Sequence, residues 1–191
     1  GKLEDIQLFT ASSRNYAMVA DGDAGLQVVD VTTPTAPALR GYYSATTGDY
    51  ATGVRILGNY AYATFATSGL LTFDISSPTQ PRLLATLAIS GYAWELAIQT
   101  SGTGTFAYVS SDGSLFAVDV SNPSSPALRG QAAINSSSQS SVAVLGNRLF
   151  VTNGSRPMEM IDISTPASPV SLGMPDQNSW HSAVTCAGGY A

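Results

Sequence analysis

Gly25-Leu26-Gln27-Val28-Val29-Asp30-Val31-Thr32-Thr33-Pro34-Thr35-Ala36-Pro37 is the stretch on which the fold turns, because the chain repeats it. The frame returns as Gly69-Leu70-Leu71-Thr72-Phe73-Asp74-Ile75, followed by Pro78 and Pro81. It returns again as Leu115-Phe116-Ala117-Val118-Asp119-Val120 with Pro123 and Pro126, and once more as Met158-Glu159-Met160-Ile161-Asp162-Ile163 with Pro166 and Pro169. The aspartates stand 44, 45 and 43 residues apart, and each has prolines four and seven residues downstream. Self-similarity at such a period marks a repeat architecture, in which no unit buries its apolar faces alone.

Working outward from the frame, each unit reads as four short strands. In the second unit Gly53 to Leu57 is a β-rich run closed by Gly58-Asn59, a hairpin dipeptide. Tyr60-Ala61-Tyr62-Ala63-Thr64-Phe65 follows, with Tyr60 and Tyr62 on alternate positions as the two-residue period of a strand requires. Thr67-Ser68-Gly69 turns into Leu70 to Ile75, and the proline-bounded turn delivers Arg82 to Leu87. The Gly-Asn hairpin recurs at Gly146-Asn147, and Arg14-Asn15 holds that place in the first unit. No segment carries a sustained 3.6-residue apolar period, so helix content should be minimal.

Four strands per unit, repeated, predict an all-β protein: a β-propeller of four-stranded antiparallel blades. The blades fall at approximately 5–47, 48–91, 92–135 and 136–178, and 179–191 starts a further one. The chain opens on Ile6-Gln7-Leu8-Phe9, an innermost strand, and closes on Ala183-Val184-Thr185-Cys186, another innermost strand. The expectation is four blades plus the first strand of a fifth, part of a larger propeller rather than a closed four-bladed ring.

Tyr16 through Val31 with the twin-proline turn after it resembles the LVIVD repeat of bacterial and archaeal proteins, many of them secreted or attached to the cell surface. The resemblance covers essentially the whole chain and is strongest in the first three units. The fourth departs, with Asn153-Gly154-Ser155-Arg156-Pro157 in place of the acidic hairpin. The resemblance implies a β-propeller with an interaction or scaffold role, outside the cell or on its surface. It supplies no catalytic residues.

Composition narrows the function classes. Only 11% of the 191 residues are charged, Lys2 is the only lysine, and the net charge is −5 with a pI near 4.5. Eight scattered cations offer no stripe for phosphates, which argues against nucleic acid. Hydrophobic residues make up 44%, yet no apolar run approaches the ~20 residues of a membrane span. Cys186 is the single cysteine, so no intrachain disulfide forms. Beside His181 it raises the idea of a Cys/His nucleophile pair, but a small buried core residue is by far the better reading.

The repeated Asp30, Asp74, Asp119 and Asp162 could form a ring of carboxylates. Each precedes a turn, however, where an Asp side chain accepts backbone N–H bonds, so a structural role is expected. Asp21-Gly22-Asp23 resembles the start of a calcium loop, but Ala24, Leu26 and Val28 follow where oxygen ligands are needed, which leaves Asp21 and Asp23 as weak metal candidates and a hairpin turn as the better reading. No Gly-x-Ser-x-Gly nucleophile motif occurs. Asn135-Ser136-Ser137 and Asn153-Gly154-Ser155 match glycosylation acceptors, a pattern common by chance in a serine-rich chain.

The loops from one blade to the next differ most among the units: Tyr42 to Thr52, Ser90 to Trp94, Asn135 to Ser141 and Met174 to Ser182. In propellers such loops surround the central channel, where ligands often bind. They carry aromatic Tyr50, Tyr92, Trp94 and Trp180 beside polar Asp49, Glu95, Asn178 and His181, a mixture suited to a protein or glycan contact. The competing reading has Trp94 and Trp180 filling space between blades. The expected function is therefore non-catalytic binding or assembly, with no cofactor. The rivals are a hydrolase or lyase whose site needs further blades, and a structural subunit joined through blade edges.

Overall fold

The computed structural model describes residues 2–135, 141–152, 157–174, 181 and 183–186. Among them every regular element is a strand, and the strands form four antiparallel four-stranded sheets of blade type. The chain divides into two compact units, residues 1–88 and 89–191, each holding two sheets.

In the first unit β1 (Asp5–Ala11), β2 (Arg14–Ala20), β3 (Leu26–Asp30) and β4 (Ala38–Tyr43) lie in sequence order across one sheet. The next sheet has β5 (Ala51–Leu57), β6 (Tyr60–Phe65), β7 (Gly69–Asp74) and β8 (Arg82–Leu87). Alternation gives each strand a face for the core. Met18, Leu26 and Val28 from one sheet join Val54, Ala61, Ala63 and Phe73 from the other in a single apolar cluster. Each large side chain buried there contributes roughly 1.5–3 kcal/mol.

The second unit repeats the plan with β9 (Glu95–Ser101), β10 (Gly104–Ser111), β11 (Ser114–Asp119) and β12 (Ala127–Ala133). Its other sheet holds β13 (Ser141–Leu145), β14 (Arg148–Thr152), β15 (Glu159–Asp162) and β16 (Val170–Gly173). Phe106, Tyr108 and Leu115 share a cluster with Val142, Leu149 and Ile161.

The twin-proline segment is the same device four times. The carbonyls of Thr33, Ser77, Asn122 and Thr165 accept from the N–H groups of Ala36, Gln80, Ser125 and Ser168 at 2.9 Å, closing four-residue turns. The first proline of each pair occupies the second turn position, where its fixed φ is the one required. Beyond each turn the fourth strand bulges, with Arg40, Leu84, Arg129 and Leu172 as the extra residues. The residue after the bulge is glycine in three sheets, and at two of them a neighbouring sheet explains why. A Cβ on Gly41 would lie 2.5 Å from the Pro78 carbonyl oxygen, and one on Gly130 would lie 2.4 Å from that of Pro166. Within each unit, the proline turn of the later sheet thus seats directly on the outer strand of the earlier one.

One turn differs from its sequence reading. Arg14 and Asn15 belong to β2, and the first hairpin turns instead at Ser12 and Ser13, with φ of 49° and 60°. Two left-handed residues match the twist of flanking strands, and here the pair lengthens the hairpin by two residues beyond Phe9–Tyr16. Ala183-Val184-Thr185-Cys186, expected as an innermost strand, carries no strand in the structure. The other differences are a residue or two at strand ends: β5 begins at Ala51 and β4 runs to Tyr43, so the loop between them is shorter than Tyr42 to Thr52.

Candidate functional site

The repeated aspartates close their own turns. The Oδ1 atoms of Asp30, Asp74, Asp119 and Asp162 accept from the N–H two residues on, in Thr32, Ser76, Ser121 and Ser164, at 2.8–3.0 Å. The Oδ2 atoms face arginines: Arg14 and Arg40 at Asp30, Arg82 at Asp74, Arg129 at Asp119 and Arg148 at Asp162. The Thr32 hydroxyl and N–H, with Arg14 behind them, hold the Asp30 carboxyl down to about 2. The Ser76 hydroxyl and N–H lower Asp74, and the N–H groups of Ser121 and Ser164 lead the lowering at Asp119 and Asp162. Sequence reading did not single out these arginines; the signal available for three of them is that Arg40, Arg82 and Arg129 follow their aspartates by eight to ten residues.

A second set of carboxylates fastens the loops that join sheets. Asp49, 4% exposed, accepts from the N–H groups of Tyr50 and Thr67 at 2.9 Å and from the Ser68 hydroxyl, tying its loop to the β6–β7 hairpin. Burial pushes this carboxyl up, but those donors outweigh it and leave it below the ordinary value. Glu159, 7% exposed, accepts from the Asn135 N–H at 2.7 Å and from the Ser171 hydroxyl. Sequence reading missed Glu159, because it occupies a strand position inside the repeat frame.

At the loop before β9 the acid again comes from the sheet that follows, as with Glu159 and unlike Asp49: Asp112, in the β10–β11 hairpin, reaches back to the loop. Asp112 Oδ2 accepts from the Tyr92 N–H and Oδ1 from the Trp94 indole Nε1–H, each at 3.0 Å. The two rings are tilted against one another with centroids 4.3 Å apart. The Trp94 N–H donates to the Ser110 carbonyl at 2.9 Å, and the Ser111 hydroxyl donates to that of Ser90 at 2.6 Å. Gly91, at φ +81°, supplies the left-handed bend, and a Cβ there would lie 2.6 Å from Ser111 Oγ. Tyr92 and Trp94 are half-buried, while Asp112 is exposed. In the sequence Asp112 is marked only by Asp112-Gly113, a weak echo of Asp21-Gly22-Asp23.

The remaining candidates are placed as follows. Tyr50 is half-buried, its ring lying over Gly22. Glu95 opens β9, half-buried, and its Oε1 accepts from the Leu96 N–H at 3.0 Å. Asp21 accepts from the Gln27 amide at 2.8 Å, and Asp23 is exposed. Among the described residues no group of three or more His, Cys, Asp and Glu side chains is placed to hold a metal ion. Asn178 and Trp180 lie outside the described residues. His181 is half-buried, and burial pushes the Cys186 thiol up, which disfavours the thiolate a nucleophile needs. The structure thus brings Tyr92 and Trp94 together on Asp112, whereas Asp49 and Tyr50 belong to the first unit. No helix among the described residues is long and apolar enough to cross a membrane.

Blade-type sheets, a shared aspartate turn and loops pinned one by one define a propeller-like repeat protein. The LVIVD repeat matches residues 11–45, 48–88, 90–133 and 137–174, and the chain belongs to the LVIVD-repeat family. No curated protein matches it. Among solved structures, the chain is similar to a functionally unknown protein from Desulfotomaculum acetoxidans DSM 771, with a TM-score of 0.68 at 13% identity. The match covers 92% of this chain and 57% of that one, so the chain spans little more than half the length of its structural relative. At this identity the likeness concerns the fold.

Proposed function

We propose that the protein is a non-catalytic β-propeller scaffold that binds a protein or glycan partner at the cell surface or outside the cell. The observation that carries this reading is the fastening of loops of unlike sequence by Asp49, Asp112 and Glu159 onto near-identical sheets. A fixed loop on a shared frame is a recognition surface with little ordering cost on binding. Among the described residues, Asp49, Glu159 and the four repeat aspartates are engaged with backbone N–H groups, serine hydroxyls or arginines. The test is a comparison of the chain with a variant whose 90–94 loop is replaced by Gly and Ser, on arrays of extracellular proteins and glycans. Loop-dependent binding without turnover is expected. Turnover of a glycoside or polyuronate that disappears in Asp112→Asn or Glu95→Gln would overturn it. Surface location is checked by protease shaving of intact cells.

The same reading extends Ala183–Cys186 into the innermost strand of a further blade in a larger propeller. Its support is a repeated junction: the Val184 N–H donates to Ser141 Oγ at 3.3 Å, as the Val54 N–H donates to Asp5 Oδ2 at 2.9 Å. Ser141 and Asp5 both open the first strand of their sheets. Slow amide exchange at Val184 that Ser141→Ala accelerates is the expected result, and fast exchange in both proteins would sink this extension.

A further inference from the structure

We propose that the Tyr92–Trp94 pair, with Asp112 at its edge, is a carbohydrate site that stacks a pyranose ring of the glucose or N-acetylglucosamine type. This rests on the binding reading above and gives its ligand a chemical class.

Comparison of equivalent junctions leads to it. At the described residues before β5 and β13 a buried carboxylate makes the fastening: Asp49 accepts from Tyr50, Thr67 and Ser68, and Glu159 from Asn135 and Ser171. Before β9 the carboxylate is exposed, and two large aromatics take part where neither other junction has more than one. Fastening alone does not require this, since Asp49 achieves it with main-chain groups and a serine.

The chemistry of the junction matches a sugar. A pyranose with equatorial substituents carries its C–H bonds on the two ring faces, which lie well against an aromatic ring, and its hydroxyls around the rim. Trp94 is held through its indole N–H, so the ring plane is fixed before any ligand arrives, and Tyr92 braces it at 4.3 Å. Each oxygen of Asp112 accepts one bond from the loop and retains a further lone pair, exposed to solvent, for a sugar hydroxyl. An apolar shelf with one polar group at its edge is the pattern by which a site both holds and orients a small ligand.

The test follows the Trp94 indole N–H signal by NMR in the whole 191-residue chain while cellohexaose or chitohexaose is added. A saturable shift is expected at Trp94 and at the Gly91 and Tyr92 amides with at least one of the two. Trp94→Ala should abolish it, Trp94→Phe should retain weaker binding, and Asp112→Asn should weaken binding about tenfold. Should Trp94→Ala not fold, Tyr92→Ala and Trp94→Phe read the same contact, each with the amide spectrum as the check on folding. Absence of any shift up to about 10 mM of both sugars overturns the proposal, as does a shift that Trp94→Phe and Tyr92→Ala leave at full strength. A protein partner that binds this loop while both sugars fail would overturn the carbohydrate site and leave the scaffold reading intact.

Discussion

Asp30 carries three partners on two oxygens: the Thr32 N–H, the Arg14 guanidinium and, at 3.5 Å, the Arg40 guanidinium. Its native carboxyl is held at about 2, below the ordinary 3.8, so the ionised form favours the folded state. That contribution is fully present above pH ~4 and is lost as pH falls through about 2. The other three repeat aspartates and Asp49 are shifted in the same direction. The urea midpoint should therefore drop steeply between pH ~4 and ~2, and Asp30→Asn should flatten part of that drop. An acid profile unchanged in the variant would show that the Asp30 partners do not bias folding. The aspartate that looks most like a site by its recurrence is thus a turn residue, whereas Asp112, which no repeat marks, holds the aromatic pair.

At the scale of elements, the bulge and the glycine after it decide how one sheet meets the next. Gly41 and Gly130 each face a proline carbonyl at a distance no Cβ tolerates, and the obstacle is backbone rather than a flexible side chain. Gly41→Ala or Gly130→Ala should cost roughly 1–3 kcal/mol by overpacking, measured as a shift in the denaturation midpoint. Gly102→Ala is the control, since nothing lies within 4 Å of its Cβ position and its effect should stay within about 0.5 kcal/mol. Equal losses at all three positions would mean that the close approach is not the cause. The bulge has a second consequence. It interrupts the outermost strand of every sheet, and a bulged edge resists pairing with another chain, which weighs against assembly through blade edges.

At the scale of the molecule, each unit has its own apolar cluster, so stability should be distributed as in other repeat proteins, by sheet and by interface. Leu149 is fully buried in the cluster of the second unit. Leu149→Ala should cost about 2–5 kcal/mol there and raise amide exchange through β9–β16 more than through β1–β8. Uniform loss of protection from β1 through β16 would instead make the chain one cooperative body.

Periodicity determined the all-β class, the four-strand unit and the proline turns, because those depend on residues close in sequence and on backbone rules common to all chains. Tyr60 to Phe65 and Arg82 to Leu87 were legible to the residue for that reason. The Ser12-Ser13 turn was not, since serine gives no local sign of a left-handed backbone and the flanking strand twist imposes it. Nor was the meeting of Asp112 with Tyr92 and Trp94, which are separated by some twenty positions and joined only when the β10–β11 hairpin folds back beside the loop. Glu159 and Asp49 belong to the same class. Their roles arise from long-range hydrogen bonds made after the sheets exist, and only the tertiary structure specifies which donors arrive.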